Sequence, residues 1–313
     1  LNLRGLDLDL VGAGIYPFVL VGQSIDRAFY DALNSYTGEP GSDGVVRVAS
    51  ANLNYGYLRL RQEGSSLKEP VLIRSKPTAI GVLPGRSHSG EEMGILRSIT
   101  LANAADHPTV QWLTKCLAVK SSQDYAGLSQ ELEALTAQTQ ADEREVKVMR
   151  FPFPRTFYTP RFNMLVFHIM DDRGQTLTDY DLLITAGPDY DEQHLPSGFF
   201  QDRQRNQRDP GMLTYYLNYD VLDNALKNSG LEGRLGFRLV ARPAEEPGKP
   251  KLVFYKSLDY CGQATEVEAF LRPNETLMVE IEVQRKVDAA VCQLPRTIQP
   301  SAISPKPTKK LVP

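Results

Sequence analysis

Cysteine is scarce in this chain: three in 313 residues, Cys116, Cys261 and Cys292, far apart and odd in number. A dense disulfide framework is therefore excluded, and none of the three has the short spacing of a structural zinc site. Cys116 falls in an apolar helical pattern, where a thiol behaves as a small buried hydrophobe. Net charge is also small, -3 with a pI near 5.9. The broad basic field that nucleic acid requires is missing, and an anionic membrane surface exerts no strong pull. No apolar run approaches the roughly 20 residues of a bilayer span. The opening Leu1 to Leu10 has neither the basic nor the apolar region of a signal peptide, so the compartment is not legible there. Internal repeats are absent.

The length suits about two domains, each able to bury a core. Tyr16 to Val21 is a near-continuous apolar run closed by Gly22, as expected of a strand buried in a parallel sheet. Ile25 to Asn34 reads as a short helix, and Thr37 to Gly44 as a turn cluster. Leu58 to Arg61 and Pro70 to Arg74 read as extended, and Ala79 to Leu83 as a second short buried strand. A helix is expected to start at Gly94 to Ile99. Another runs over Pro108 to Val119, with Val110, Leu113 and Leu117 on its stripe and Asp106 as its cap. A third covers Asp124 to Glu145, with Leu128, Leu132 and Leu135 inward.

Composition shifts at Phe151-Pro152-Phe153-Pro154, after which short strands dominate. Thr276 to Val283 alternates cleanly, with Leu277, Val279, Ile281 and Val283 on one face; Met164 to Met170, Tyr180 to Thr185, Gly236 to Arg242 and Lys251 to Lys256 are similar runs. Turn residues between them predict a small all-β sandwich. Phe199 to Pro210 reads as a polar excursion and Asn218 to Lys227 as a short helix. Pro295 to Pro313, with five prolines and several lysines, reads as a mobile tail.

The chemistry-bearing stretch runs from Gly41 to Glu92. Asp43 stands in a Ser-Asp-Gly turn beyond one candidate strand, and His88 in the Gly/Ser loop Gly85-Arg86-Ser87-His88-Ser89-Gly90 just after another. Loops at the carboxyl ends of parallel strands converge on one crevice. There, a carboxylate can fix an imidazole's tautomer and leave its other nitrogen to draw a proton from a hydroxyl. An ordinary turn and a solvent-exposed loop histidine are the competing readings of the same residues.

The string Ser-Asp-Gly-Val-Val-Arg-Val-Ala-Ser-Ala-Asn-Leu (42–53) resembles the acid-bearing segment of lipase-type α/β-hydrolases, and Ser87-His88-Ser89-Gly90 with Gly94-Ile95-Leu96 is similar to their histidine loop. The order, acid before histidine, is also the family's. The resemblance covers roughly residues 10 to 120. It implies that Asp43 is the triad acid and His88 the general base, that no cofactor is needed, and that a lipid or phospholipid ester is the substrate. It extends to lipases that bacteria secrete as antibacterial effectors, which leaves a secreted effector as one reading of localisation. The family's Gly-x-Ser-x-Gly elbow is missing. Gly22-Gln23-Ser24-Ile25-Asp26 lacks the second glycine, and Ser24 lies only 19 positions before Asp43, too few for an intervening βαβ unit of some 30 residues.

Outside this stretch, His107 reads as a helix-edge surface residue, His168 as a core or sheet-face residue, and His194 is uninformative. Asp171-Asp172, Asp179/Asp181 and Asp189/Asp191 are either solvated turns or calcium-collecting loops, although no required ligand spacing is met. Arg203, Arg205 and Arg208 suit an anionic head group, a partner protein or plain solvent.

The expected fold is α/β: a partial, doubly wound α/β-hydrolase sheet over residues 1–145, an all-β sandwich-like domain over 146–294, and a tail over 295–313. The expected function is serine ester hydrolysis through Asp43 and His88. The nucleophile is expected from sequence outside this chain, on an upstream half or second chain that completes the sheet. The β domain could contact a membrane surface. A non-catalytic interaction or membrane-binding module with a degenerate hydrolase half is the alternative.

Overall fold

The computed structural model describes residues 8–25, 41–148, 155–228, 231–243 and 253–287. The expected helix beyond Ile25, the aromatic-proline run at 151–154, Cys292 and the tail lie outside the described residues. Strand β1 (Phe18–Val21) is followed by the short helix α1 (Val48–Ala51), β2 (Tyr55–Glu63), β3 (Ser66–Leu67), β4 (Val71–Arg74) and β5 (Ala79–Val82). Helices α2 (Pro108–Leu117) and α3 (Ser122–Asp142) come next. Strands then prevail: β6 (Glu145–Val148), β7 (Arg155–Tyr158), β8 (Phe162–Asp171), β9 (Tyr180–Ala186), β10 (Phe200–Arg205) and β11 (Met212–Asn218). After α4 (Tyr219–Asn228) come β12 (Leu235–Ala241), β13 (Val253–Tyr255) and β14 (Leu258–Gly262), then α5 (Ala264–Phe270), β15 (Thr276–Val283) and β16 (Arg285–Val287). The architecture is mixed α/β.

The β1 and β5 strands pair in parallel, Phe18 beside Ala79 and Val21 beside Val82. Helix α3 lies against β5. Its Leu128 and Leu132, four residues apart and so on one face, are buried with Tyr125. Hydroxyls of α3 also complete the strands' hydrogen bonding. Tyr125 Oη accepts from Ala79 N (2.9 Å) and donates to Pro17 O (2.9 Å), closing the start of the ladder. Thr136 Oγ1 accepts from Val82 N (3.0 Å) and donates to Ile80 O (3.3 Å). Leu83 N reaches back to Val21 O, so Ile80 and Val82 present the opposite edge, the one Thr136 covers. The β5 edge is thereby closed, whereas no described strand pairs with the second edge of β1.

A seven-stranded sheet runs β10-β11-β8-β15-β2-β3, with β4 also beside β2. The central β15 is parallel to both β8 and β2. It buries Leu277, Val279, Ile281 and Val283, as its alternation demands. On its other face Glu280 and Glu282 pair with Arg59 and Arg61 of β2, at 3.0–3.3 Å. A three-stranded antiparallel sheet, β14-β12-β9, shares the same apolar core. Phe167 and Phe237 meet edge to face across it (5.6 Å between centroids), and Tyr215 Oη donates to Leu182 O (2.8 Å). Because β2 pairs with β15, strands from both sides of residue 145 share one sheet, and a division there cuts across it.

Three local expectations need correction. Residues 94–99 form turns, not a helix. Helix α2 buries Thr109 and Cys116, while Leu113 and Leu117 are 45% and 78% exposed, because the face that packs on the core carries Trp112 and Cys116 instead. The polar run after Phe199 is β10, whose edge position in the sheet tolerates charge on both faces. Among the described residues, no helix is long and apolar enough to cross a membrane.

Candidate active site

The acid turn is closed by a bridge between Ser42 and Arg47 and by Asp43 N donating to Val46 O (3.2 Å). Gly44 sits at φ +102°, a conformation that side chains rarely adopt. Asp43 Oδ1 accepts from Val46 N (2.7 Å) and Val45 N (3.1 Å), so the turn itself fixes the carboxylate. Its second oxygen, Oδ2, lies 3.2 Å from His88 Nδ1. Only 6% of the Asp43 side chain is exposed, against 46% of His88. An ionised carboxylate can only accept, so it selects the neutral tautomer in which Nδ1 carries the proton and Nε2 the lone pair. That second nitrogen has no hydrogen-bond partner among the described residues. The structure brings the two residues together, with the imidazole half-exposed.

The histidine loop is held by the backbone. His88 N donates to Asp43 O (2.7 Å), Ser87 N to Met93 O (2.9 Å) and Ile95 N to Ser87 O (2.7 Å). Gly22, at the end of β1, packs against the same segment. A Cβ there would sit 2.1 Å from Arg86 O, so no larger residue fits.

Beneath the loop lies His107, expected at the surface and found buried. It, not Asp106, caps α2, with Nδ1 accepting from Thr109 N (3.2 Å). Nε2 therefore bears the proton and donates to Ser98 Oγ (2.8 Å), which passes the chain on to Gly94 O (2.6 Å). Arg86 Nη1 also donates to Ser98 Oγ (3.0 Å). Burial, with the Arg86 charge adding to it, pushes the His107 pKa down and keeps the ring neutral.

Two further anchors reach the site from distant sequence. Arg47 Nη2 meets Asp202 Oδ2 on β10 (2.8 Å), and its guanidinium lies 3.9 Å over the Tyr216 ring, which stacks on Phe162. Burial raises the Asp202 carboxyl, but bonds from Arg47, Gln204 and Arg203 outweigh it and hold the group below the usual range. Glu143, just past α3, accepts from Gly85 N (2.5 Å), Gln23 Nε2 (3.0 Å) and Ser24 Oγ (3.0 Å). The Ser24 hydroxyl thus points to Glu143 rather than to His88.

The remaining candidates disperse. His168 lies on the half-exposed face of β8. His194 Nε2 pairs with Asp189 (2.8 Å). Asp179 and Asp181 pair with Arg242, Asp171 with Arg285, and Asp191 caps a single helical turn. Among the described residues, no three His, Cys, Asp or Glu side chains converge as a metal site. Arg205 lies over the Tyr180 ring and donates to Thr178 O (3.0 Å), and Arg203 lies over Tyr215.

No protein-family model matches the chain, and no curated protein does. Solved structures do match it, two of them of one phospholipase. Phospholipase PlaB from Legionella pneumophila in complex with thio-NAD is 49% identical with a TM-score of 0.87, over 100% of this chain and 67% of that chain. A second structure of the same phospholipase is 48% identical with a TM-score of 0.86, over 100% of this chain and 66% of that one. The chain belongs to the PlaB family. It spans about two thirds of the length of the PlaB chains it matches. The mixed α/β architecture is thus a PlaB-like fold, and the match takes in the acid turn, the histidine loop and the sheets alike.

Proposed function

We propose that this chain carries the acid and the base of a serine hydrolase that cleaves carboxylic esters of phospholipids or related lipids. The observation that carries the reading is the Asp43–His88 pair, with a buried carboxylate on Nδ1 and an open Nε2. Near-50% identity to a phospholipase supports the substrate class. In the reaction, His88 Nε2 takes the proton of a serine hydroxyl as the oxygen attacks the ester carbonyl. Asp43 stabilises the imidazolium, which then protonates the departing alkoxide. Water, deprotonated by His88, attacks the acyl-enzyme in turn, releasing the fatty acid and regenerating serine.

The nucleophile is proposed to come from sequence outside this chain. Ser24 is engaged with Glu143, and no described hydroxyl or thiol bonds to His88. We read β1 and β5 as the last strands of a doubly wound hydrolase sheet. With the β5 edge covered by Thr136, further strands belong beside β1. The sandwich-like β layers would then support the acid turn and meet the lipid surface.

A fluorophosphonate probe on the full-length protein tests the reading. Labelling of one serine, with H88A and D43N each lowering phospholipase kcat by about 10⁴-fold, is the expected result. A folded protein that resists the probe and hydrolyses no ester would leave only a non-catalytic module, and an H88A variant with unchanged turnover would remove His88 from the chemistry.

A further inference from the structure

Glu143 occupies an unfavourable place for an acid. It is the residue that ends α3, with its own N–H bonded to Thr139 O (2.9 Å), so its carboxylate sits at the negative end of the helix dipole. Exposed there, a carboxylate would weaken the helix slightly. Instead it is half-buried and gathers three donors from two other segments. Oε1 takes Gly85 N, and Oε2 takes Gln23 Nε2 and Ser24 Oγ. Gln23 and Ser24 follow β1, whereas Gly85 follows β5 and stands three residues before His88. The two segments are also joined directly, Ser24 N donating to Arg86 O (3.0 Å). One side chain therefore ties the carboxyl ends of both parallel strands together where the histidine loop departs.

We propose that Glu143 is a positioning residue for His88. It fixes the peptide of Gly85, and through it the take-off of the loop, so that Nδ1 of His88 stays within reach of Asp43. The proposal rests on the reading of His88 as general base, and it predicts a defect in turnover rather than in lipid binding. A displacement of about 1 Å in such a pair can cost roughly 100-fold in rate. Gln at 143 can still accept from Gly85 N, while Ser24 and the Gln23 amide can turn to present oxygens to its NH2, so E143Q preserves the tie.

The test uses the full-length protein and two readouts: steady-state phospholipase kinetics, and the downfield NMR resonance of the His88 Nδ1 proton, assigned with H88A. E143A is expected to lower kcat roughly 10- to 100-fold with KM within about twofold, and to shift or broaden the Nδ1 resonance. E143Q is expected to recover most of both. Should E143A fail to fold by circular dichroism, E143D, which draws the carboxylate back by one methylene, carries the same expectation. Wild-type kcat and resonance in a folded E143A or E143D, or equal losses in E143Q and E143A, would overturn the proposal. A wild-type protein that shows the resonance but hydrolyses no ester would sink the hydrolase reading, while loss of the resonance in E143A would still support the tie.

Discussion

Each oxygen of Asp43 has a separate duty: one closes its own turn and the other holds His88. This division made the pair legible in the sequence, because Ser-Asp-Gly encodes the turn locally and the Gly/Ser loop encodes the histidine's exposure. Arg47 and Glu143 left no such trace. Arg47 finds Asp202 155 positions away, and Glu143 reaches Gln23 across 120, so only the assembled fold gives them meaning. Arg47 also shows how the β layers bear on the acid. Its side chain is 10% exposed and that of Asp202 30%, so the pair is well shielded on one side only. Breaking a fully buried pair costs about 3–5 kcal/mol, and this one should cost less. R47M and D202N are each expected to lower the melting temperature and kcat, and the double variant to lose less than the sum. A double-mutant cycle in urea measures the coupling, and full additivity would dissolve the link between β10 and the acid turn.

At the scale of elements, what could be read was what repeats along the chain. The period-2 pattern of β15, the apolar runs of β1 and β5, and the leucine stripe of α3 all appear where their spacing puts them. What escaped was set by neighbours. The β10 strand is polar because it is an edge. Helix α2 turns Leu113 and Leu117 outward because Trp112 and Cys116 take the face against the core. The contact between α3 and β5 offers the sharpest element-level prediction. Thr136 supplies a donor and an acceptor to an edge that otherwise lacks a strand, so T136V leaves Val82 N and Ile80 O unpaired. Chemical denaturation should show a loss of about 1–3 kcal/mol. T136S, which keeps the hydroxyl, should stay within about 1 kcal/mol of the parent. Equal losses in both would mean that the hydroxyl contributes little.

For the whole molecule, acid sensitivity has an identifiable source. A buried, neutral His107 has its pKa lowered in the fold, whereas in the unfolded chain it titrates near the ordinary value of about 6.5. The unfolded state then binds more protons as pH falls, so the stability is fully present above about 6.5 and declines below it, down to the folded-state pKa. In H107N the amide oxygen can still cap α2 but the residue cannot titrate. Its melting temperature should therefore depend less steeply on pH between about 6.5 and 5, and a slope identical to the parent's would assign the sensitivity elsewhere.

The strand in the middle of the large sheet is among the last described in the chain. It slots in parallel between one strand that starts at Tyr55 and another that starts at Phe162. During synthesis on the ribosome, the two flanking strands must wait with their apolar faces unmatched until that final wedge arrives. A premature stop before residue 276 would therefore do more than trim an appendage. It would leave two half-sheets with facing, adhesive edges, inviting aggregation or a chaperone.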